Sequence, residues 1–355
     1  MSTRTPESQT ASPVIRGAHL VGSVNLPDAE SVFRTVSAHL GDRLHRIPDG
    51  EVGERFYWVQ FQTKRLDRME GISRIDAPPS LLRGVFDGRP FRLDDGVTAD
   101  RLVFPDLGYA DAALDSYAVF RRLRDDGVIA PGTRFQVSLP TPAGVVGPFI
   151  VPEDRAAFEP AYEHALFGEL QRILDGIPHD DLAIQWDTAV EFALLEGRMP
   201  SWFGDDVLAG VIERAGRQAA AVPADVQLGY HLCYGDVEEQ HFVQPTDAGR
   251  LAEVLNGILT SAPRPVTWVH LPVPIERDDS AYFAPLASVD IPEGTELFLG
   301  LIHHEDGVEG AVRRASAAST AVPSFGVGTE CGFGRGPSER TPGLLDLHAA
   351  VAAAW

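Results

Sequence analysis

Short apolar runs recur along the chain, each bounded by turn residues and separated by longer stretches of helical period. Residues 17–24 read as a first buried strand, and residues 43–47 as a second that closes on Pro48-Asp49-Gly50-Glu51. Further strands are predicted at 133–138, at 181–187 with an acid at its end, and at 226–229, leading into Tyr230-His231-Leu232-Cys233. The last three fall at 266–271, 296–301 and 325–328. Between them the spacing predicts helices over 28–40, 54–70, 117–126, 153–176, 205–221, 246–261, 307–320 and 343–354.

Strands alternating with helices argue a parallel α/β fold. Their number points to a single (β/α)8 TIM barrel. Residues 71–111 are rich in Pro, Gly, Asp and Arg and lack a clear period, so an irregular insertion over the barrel mouth is expected there. Residues 1–14 read as a disordered polar leader and 15–355 as one catalytic barrel domain. No Gly-x-Gly-x-x-Gly follows a strand, and no phosphate loop occurs.

The chain has 355 residues, of which 44% are hydrophobic, enough for a large core. Its 51 acidic residues against 30 basic ones give a formal charge of −21. A field of that sign repels phosphate backbones, so nucleic acid and anionic membranes are not expected partners. Lys64 is the one lysine and lies in an Arg-rich helical stretch, which leaves Schiff-base chemistry little support. Two cysteines make no disulfide framework, and no run resembles a signal peptide or a membrane span. A cytoplasmic protein is expected, with the oligomeric state left open.

The carboxyl ends of barrel strands carry the chemistry. Those ends hold Ser23, Asp49, Ser138, Asp187, His231 with Cys233, His270, His303 and Cys331. Side chains two apart on an extended backbone share a face, so His231 and Cys233 leave their strand together. With Cys331 they make a soft three-ligand set suited to zinc, with a fourth position open for a substrate thiol. His270, on the next strand, is a candidate fourth ligand. Asp187, ending an apolar strand, is a candidate partner for a substrate amine. His303 and His304 diverge, and one of them can serve as acid or base.

His231-Leu-Cys233 and Glu330-Cys331-Gly332 resemble the zinc-binding motifs of the catalytic C-terminal barrel of cobalamin-independent methionine synthase. Ile184-Gln185-Trp186-Asp187 is similar to that family's strand whose acid holds the homocysteine amine, and Val21-Gly22-Ser23 to the opening that contacts the substrate carboxylate. His303 falls where the family has its catalytic histidine. The resemblance implies a zinc-dependent methyl or alkyl transferase acting on a small homocysteine-like thiol, with an alkyl donor as second substrate. Departures are visible. His270 stands where the family has a glutamate ligand, Thr188 follows Asp187 in place of a glutamate, and only Phe149 lies near the expected folate-stacking tryptophan. Methyltetrahydrofolate is accordingly not the expected donor.

Two other readings compete. In one, Asp49, Glu51, Arg55 and the histidines bind and protonate the carboxylated substrate of a metal-independent lyase or decarboxylase of the same barrel superfamily. In the other, the chain is a zinc-carrying accessory protein without catalysis.

Overall fold

The computed structural model describes residues 14–236 and 239–355. The leader expected at 1–14 lies, but for residue 14, outside the described residues.

Eight strands form one sheet: β1 (Val14–Ala18), β2 (Arg46–Pro48), β3 (Arg134–Pro140), β4 (Leu182–Thr188), β5 (Gln227–Leu232), β6 (Trp268–Pro272), β7 (Glu296–Ile302) and β8 (Ser324–Thr329). Their order is β1-β8-β7-β6-β5-β4-β3-β2, and every pairing is parallel. Helices connect them, so the chain is an α/β protein with a curled, TIM-barrel-like sheet. The closed barrel expected from the count of eight is corrected at one seam. β1 and β2 share no ladder; a single bridge between Ser23 and Gly50 spans the gap. The reason is local. β1 ends at Ala18, earlier than predicted, and β2 has only three residues before the turn at Gly50, whose φ is +83°.

The insertion contains two small antiparallel pairs, Ile72–Arg74 with Phe91–Leu93 and Leu81–Leu82 with Phe86–Asp87. Regular helix resumes at Tyr109–Asp125. The helix predicted over 54–70 is different: residues Gly53–Phe61 form tight 3₁₀ turns broken at Tyr57 and Trp58, and only Gln62–Leu66 is α-helical. Trp58 sits at φ +52°, a conformation that side-chain-bearing residues adopt at a cost.

Alternation along each strand sorts two cores. Leu182, Ile184 and Trp186 of β4 pack outward beneath the helices, where Trp186 meets Phe167 of the helix Arg155–Gly176. Ala183 faces inward against Trp268 and Phe298. The interior is crowded because bulky rings lie beside glycines. A Cβ on Gly229 would lie 2.0 Å from the Trp268 ring, and one on Gly328 would lie 2.9 Å from His270 and 3.0 Å from the His19 carbonyl. Among the described residues no helix is long and apolar enough to cross a membrane.

Candidate metal centre and cleft

His231 is the penultimate residue of β5, and Cys233 follows the strand in the turn. The Cys233 N–H donates to the Thr188 carbonyl at 3.0 Å, which holds that turn against the end of β4. Cys331 stands just beyond β8 and meets them from the far side of the sheet order. The ligand atoms of His231, Cys233 and Cys331 all lie within 4.8 Å of one another. Both cysteines are free thiols, with sulfurs 3.9 Å apart. That is far beyond a disulfide bond. It matches the roughly 3.8 Å between two sulfurs each held about 2.3 Å from one tetrahedral ion.

The residues fit a soft metal on further grounds. His231 Nε2 is buried and has no hydrogen-bond partner among the described residues, while its Nδ1 faces Nδ1 of His270 at 2.9 Å. The Gly235 N–H donates to Cys233 Sγ at 3.2 Å, which orients the sulfur in its turn. The contact with Cys233, followed by burial, pushes the Cys331 thiol well up as long as only protons satisfy the pair. His270 stands behind His231 rather than beside the sulfurs, and its ring is fully buried. The three-residue set forms without it.

Above this centre opens a cleft of about 420 Å³, lined by Ser23, Glu51, Trp58, Asp187, Asp236 and Arg335 around the three ligand candidates. Asp187 accepts from Gln185 Nε2 at 2.8 Å. Burial, then the nearby Glu51 charge, raise Asp187 well above the ordinary carboxylate range, against the hydrogen bonds of Gln185 and Trp58. Burial also raises Glu51, opposed by Arg335 and Arg55. Burial opposes the charge of Arg335, but Cys331, Asp236, Glu51 and Cys233 outweigh it and hold the guanidinium protonated. Arg335 donates to Ser23 Oγ at 2.8 Å and lies 3.7 Å from Asp236. The cleft thus gathers three carboxylates, of Glu51, Asp187 and Asp236, with one guanidinium and a hydroxyl.

Other sequence candidates lie elsewhere. Asp49 is buried, paired with Arg55 at 2.5 Å, and accepts the Glu51 N–H at 3.0 Å. It supports Glu51 from below and does not line the cleft. Ser138 Oγ donates to the Val21 carbonyl at 2.9 Å, beneath the floor. Phe149 is packed in the core, and the aromatic wall is Trp58 instead. His303 occupies a second cleft, its Nε2 donating to the Val273 carbonyl at 2.9 Å. Burial, with help from Arg314, lowers its pKa to about 4. His304 stands at the rim of the same cleft, beside Glu305 at 3.0 Å.

Two contributors carried no role in the sequence reading: Arg335 and Asp236. Arg335 had a visible signal, since it follows the Cys331 turn and is one of few cations near the predicted ligands. Asp236, three residues past Cys233, had the same kind of signal. Trp58 lies in the run 54–70, and its exact place in the wall depends on a break that the helical period does not show.

The fold and site define a TIM-barrel-like chain with a His/Cys/Cys group able to hold a metal at the strand ends. No family sequence profile and no curated protein sequence matches it. Solved structures do. A Listeria monocytogenes protein assigned as a vitamin B12-independent methionine synthase superposes with a TM-score of 0.58 at 15% identity, over 96% of this chain and 98% of that one. A B12-independent methionine synthase from Shewanella sp. W3-18-1, solved with selenomethionine, gives 0.59 at 13% identity over 95% and 96%. A methyltransferase from Methanosarcina mazei gives 0.50 at 11% over 96% and 94%. The chain therefore has the fold of methionine synthase-like and methyltransferase proteins.

Proposed function

We propose that this protein is a zinc-dependent methyl or alkyl transferase whose acceptor is a small amino-acid thiol of the homocysteine type. The observation that carries this reading is the convergence of His231, Cys233 and Cys331 at the floor of a polar cleft. Those three residues would hold the metal. Zinc there lowers the pKa of a thiol and keeps it as a thiolate at neutral pH.

The rest follows from the chain's own side chains. Asp187 and Glu51 face the position of the acceptor's ammonium. Both sit above their ordinary range without it, so a cation entering the cleft favours their charged forms. Arg335, with Ser23 as its hydrogen-bond partner, suits the acceptor's carboxylate. Trp58 closes one wall and excludes water. The partner in this reading is a small molecule, and two free thiols, one of them buried, suit a reducing cytoplasm.

The lyase reading is not favoured. Asp49 and Arg55 are spent on each other in a buried pair, and Glu51 joins the cleft with the sulfurs. The neighbouring folds point the same way.

Metal analysis of protein purified without chelator, beside Cys233→Ser, tests the proposal. About one zinc per wild-type chain and a large loss in the variant are expected. A wild type that carries no stoichiometric metal and takes none up would remove the mechanism.

A further inference from the structure

A second cleft of about 570 Å³ adjoins the metal centre on its other side. Gly235, Asp236, Cys331 and Gly332 line both clefts and form the partition between them. Its polar wall carries the carboxylates of Asp236, Glu239, Glu305 and Glu330 against one guanidinium, Arg340, which is paired with Glu239. Glu330 has no such counter-ion: its ionic neighbours within 4 Å among the described residues are two imidazoles, His241 Nε2 at 3.4 Å and His303 Nδ1 at 3.8 Å. His241 has a side chain only 5% exposed, and among the described residues neither of its ring nitrogens has a hydrogen-bond partner of good geometry, although the Gln244 side chain acts on it as a polar neighbour. Among the same residues Glu330 Oε1 is buried and unpartnered as well.

The tautomer of His303 sharpens the picture. Its Nε2 donates to the Val273 carbonyl, so Nδ1 presents a lone pair toward Glu330. Lone pairs of an imidazole and a carboxylate thus converge on one space. Such a pair is satisfied by a positive charge between them, either a proton on the carboxyl or the cation of a ligand.

We propose that this cleft binds the alkyl donor, and that the donor is a cation: a methyl group carried on an onium centre, sulfonium or quaternary ammonium. The assignment rests on the transferase reading given above and names its second substrate. The two clefts share these lining residues beside the metal centre, so a donor seated here would deliver its methyl past the edge of the Cys331 turn, where methyl carbon and acceptor sulfur have to come into direct contact. In the transfer the acceptor thiolate's electron pair forms the new sulfur–carbon bond. The bond from that carbon to the onium atom breaks, and its electron pair stays on the leaving sulfur or nitrogen. Thiolate and cation become a neutral thioether and a neutral sulfide or amine. No proton is needed, which agrees with a His303 ring whose one N–H is tied to a backbone carbonyl. An anionic folate donor would meet the carboxylates unfavourably.

The test uses the full, zinc-loaded chain with trimethylsulfonium, tetramethylammonium and 5-methyltetrahydrofolate as separate probes. Titration calorimetry reads binding; transfer to homocysteine and release of dimethyl sulfide or trimethylamine read chemistry. Binding of the cations, weakened about tenfold or more in Glu330→Gln and to a smaller extent in the rim variant Glu305→Gln, is expected, with methyl transfer from the onium probe. Release of the sulfide or of the amine tells which onium centre serves. Transfer from 5-methyltetrahydrofolate without cation binding overturns the donor assignment and leaves the transferase standing. Cation binding by a chain that holds no metal overturns the transferase and with it the donor role. Affinity unchanged in both carboxamide variants, each folded by circular dichroism, also overturns the assignment.

Discussion

His231 and His270 face each other through their Nδ1 atoms at 2.9 Å, on adjacent strands in register, and both rings are buried. Two imidazole nitrogens that close must be one donor and one acceptor. If His231 spends its Nε2 lone pair on a metal, its Nδ1 carries the proton and His270 accepts. His270 then acts as the partner that fixes the tautomer and orientation of a ligand.

That relationship predicts that His270→Ala lowers zinc affinity by about 10- to 100-fold without removing the site. Competition with a chromophoric chelator measures the affinity. Loss as complete as in Cys331→Ser would instead make His270 a ligand.

Cobalt substitution separates the two sulfurs from the imidazole. Wild type loaded with cobalt should show intense sulfur-to-metal charge-transfer absorption in the near ultraviolet, roughly halved in Cys233→Ser and again in Cys331→Ser. His231→Gln should keep that absorption and shift the visible ligand-field bands. Absorption unaffected by loss of either cysteine would place the metal elsewhere.

Gly332 is a steric test of the partition. A Cβ there would lie 2.3 Å from Ser23 Oγ and 2.8 Å from the Ser23 backbone nitrogen, which cannot swing aside as a flexible tip can. Gly332→Ala is expected to displace the Cys331 turn from Ser23. Metal affinity and transfer should fall more than tenfold, while the melting temperature drops only a few degrees, as for a destabilisation of roughly 1–2 kcal/mol.

Glu191, just past β4, links a buried acid to stability. It is 2% exposed, its Oε2 has no partner among the described residues, and burial raises its pKa from 4.5 to about 7 against the influence of the neighbouring Thr141 hydroxyl. Glu159 and Arg214 also act on it, in opposite directions. The folded state keeps this proton up to about pH 7, whereas the unfolded chain releases it near 4.5. Its contribution is therefore fully present below the lower value and is lost as pH rises through the upper one. The span corresponds to roughly 3 kcal/mol. Glu191→Gln should flatten that slope and be more stable than wild type at pH 8, but not at pH 4. Urea midpoints at the two pH values read the difference; parallel pH profiles would show that Glu191 does not titrate between them.

Much of the architecture was legible along the chain because strand burial imposes local periodicity. The order of eight apolar runs located seven strands of the sheet and only the last two residues of β1, and the two-residue step from His231 to Cys233 put both on one side of an extended segment. The departures have local causes that periodicity does not register. Residues 54–70 carry a helical pattern, yet the chain breaks at Tyr57 and turns through positive φ at Trp58, which swings the indole to the cleft wall. Asp49 stands at a strand end like the true cleft acids, but the guanidinium six residues later captures it.

By itself the amino-acid sequence determined the alternation of elements, the acidic charge and the residue types at the strand ends, because these depend on neighbours in the chain. Tertiary structure alone decided which of those ends share a space. Cys233 and Cys331 are 98 residues apart and meet because the sheet curls until the turns after β5 and β8 converge. The same curling sets Arg335 against Ser23, 312 residues away, and Glu330 between two imidazoles. Contacts of that range are fixed by packing in three dimensions, for which no local pattern along the chain supplies a measure.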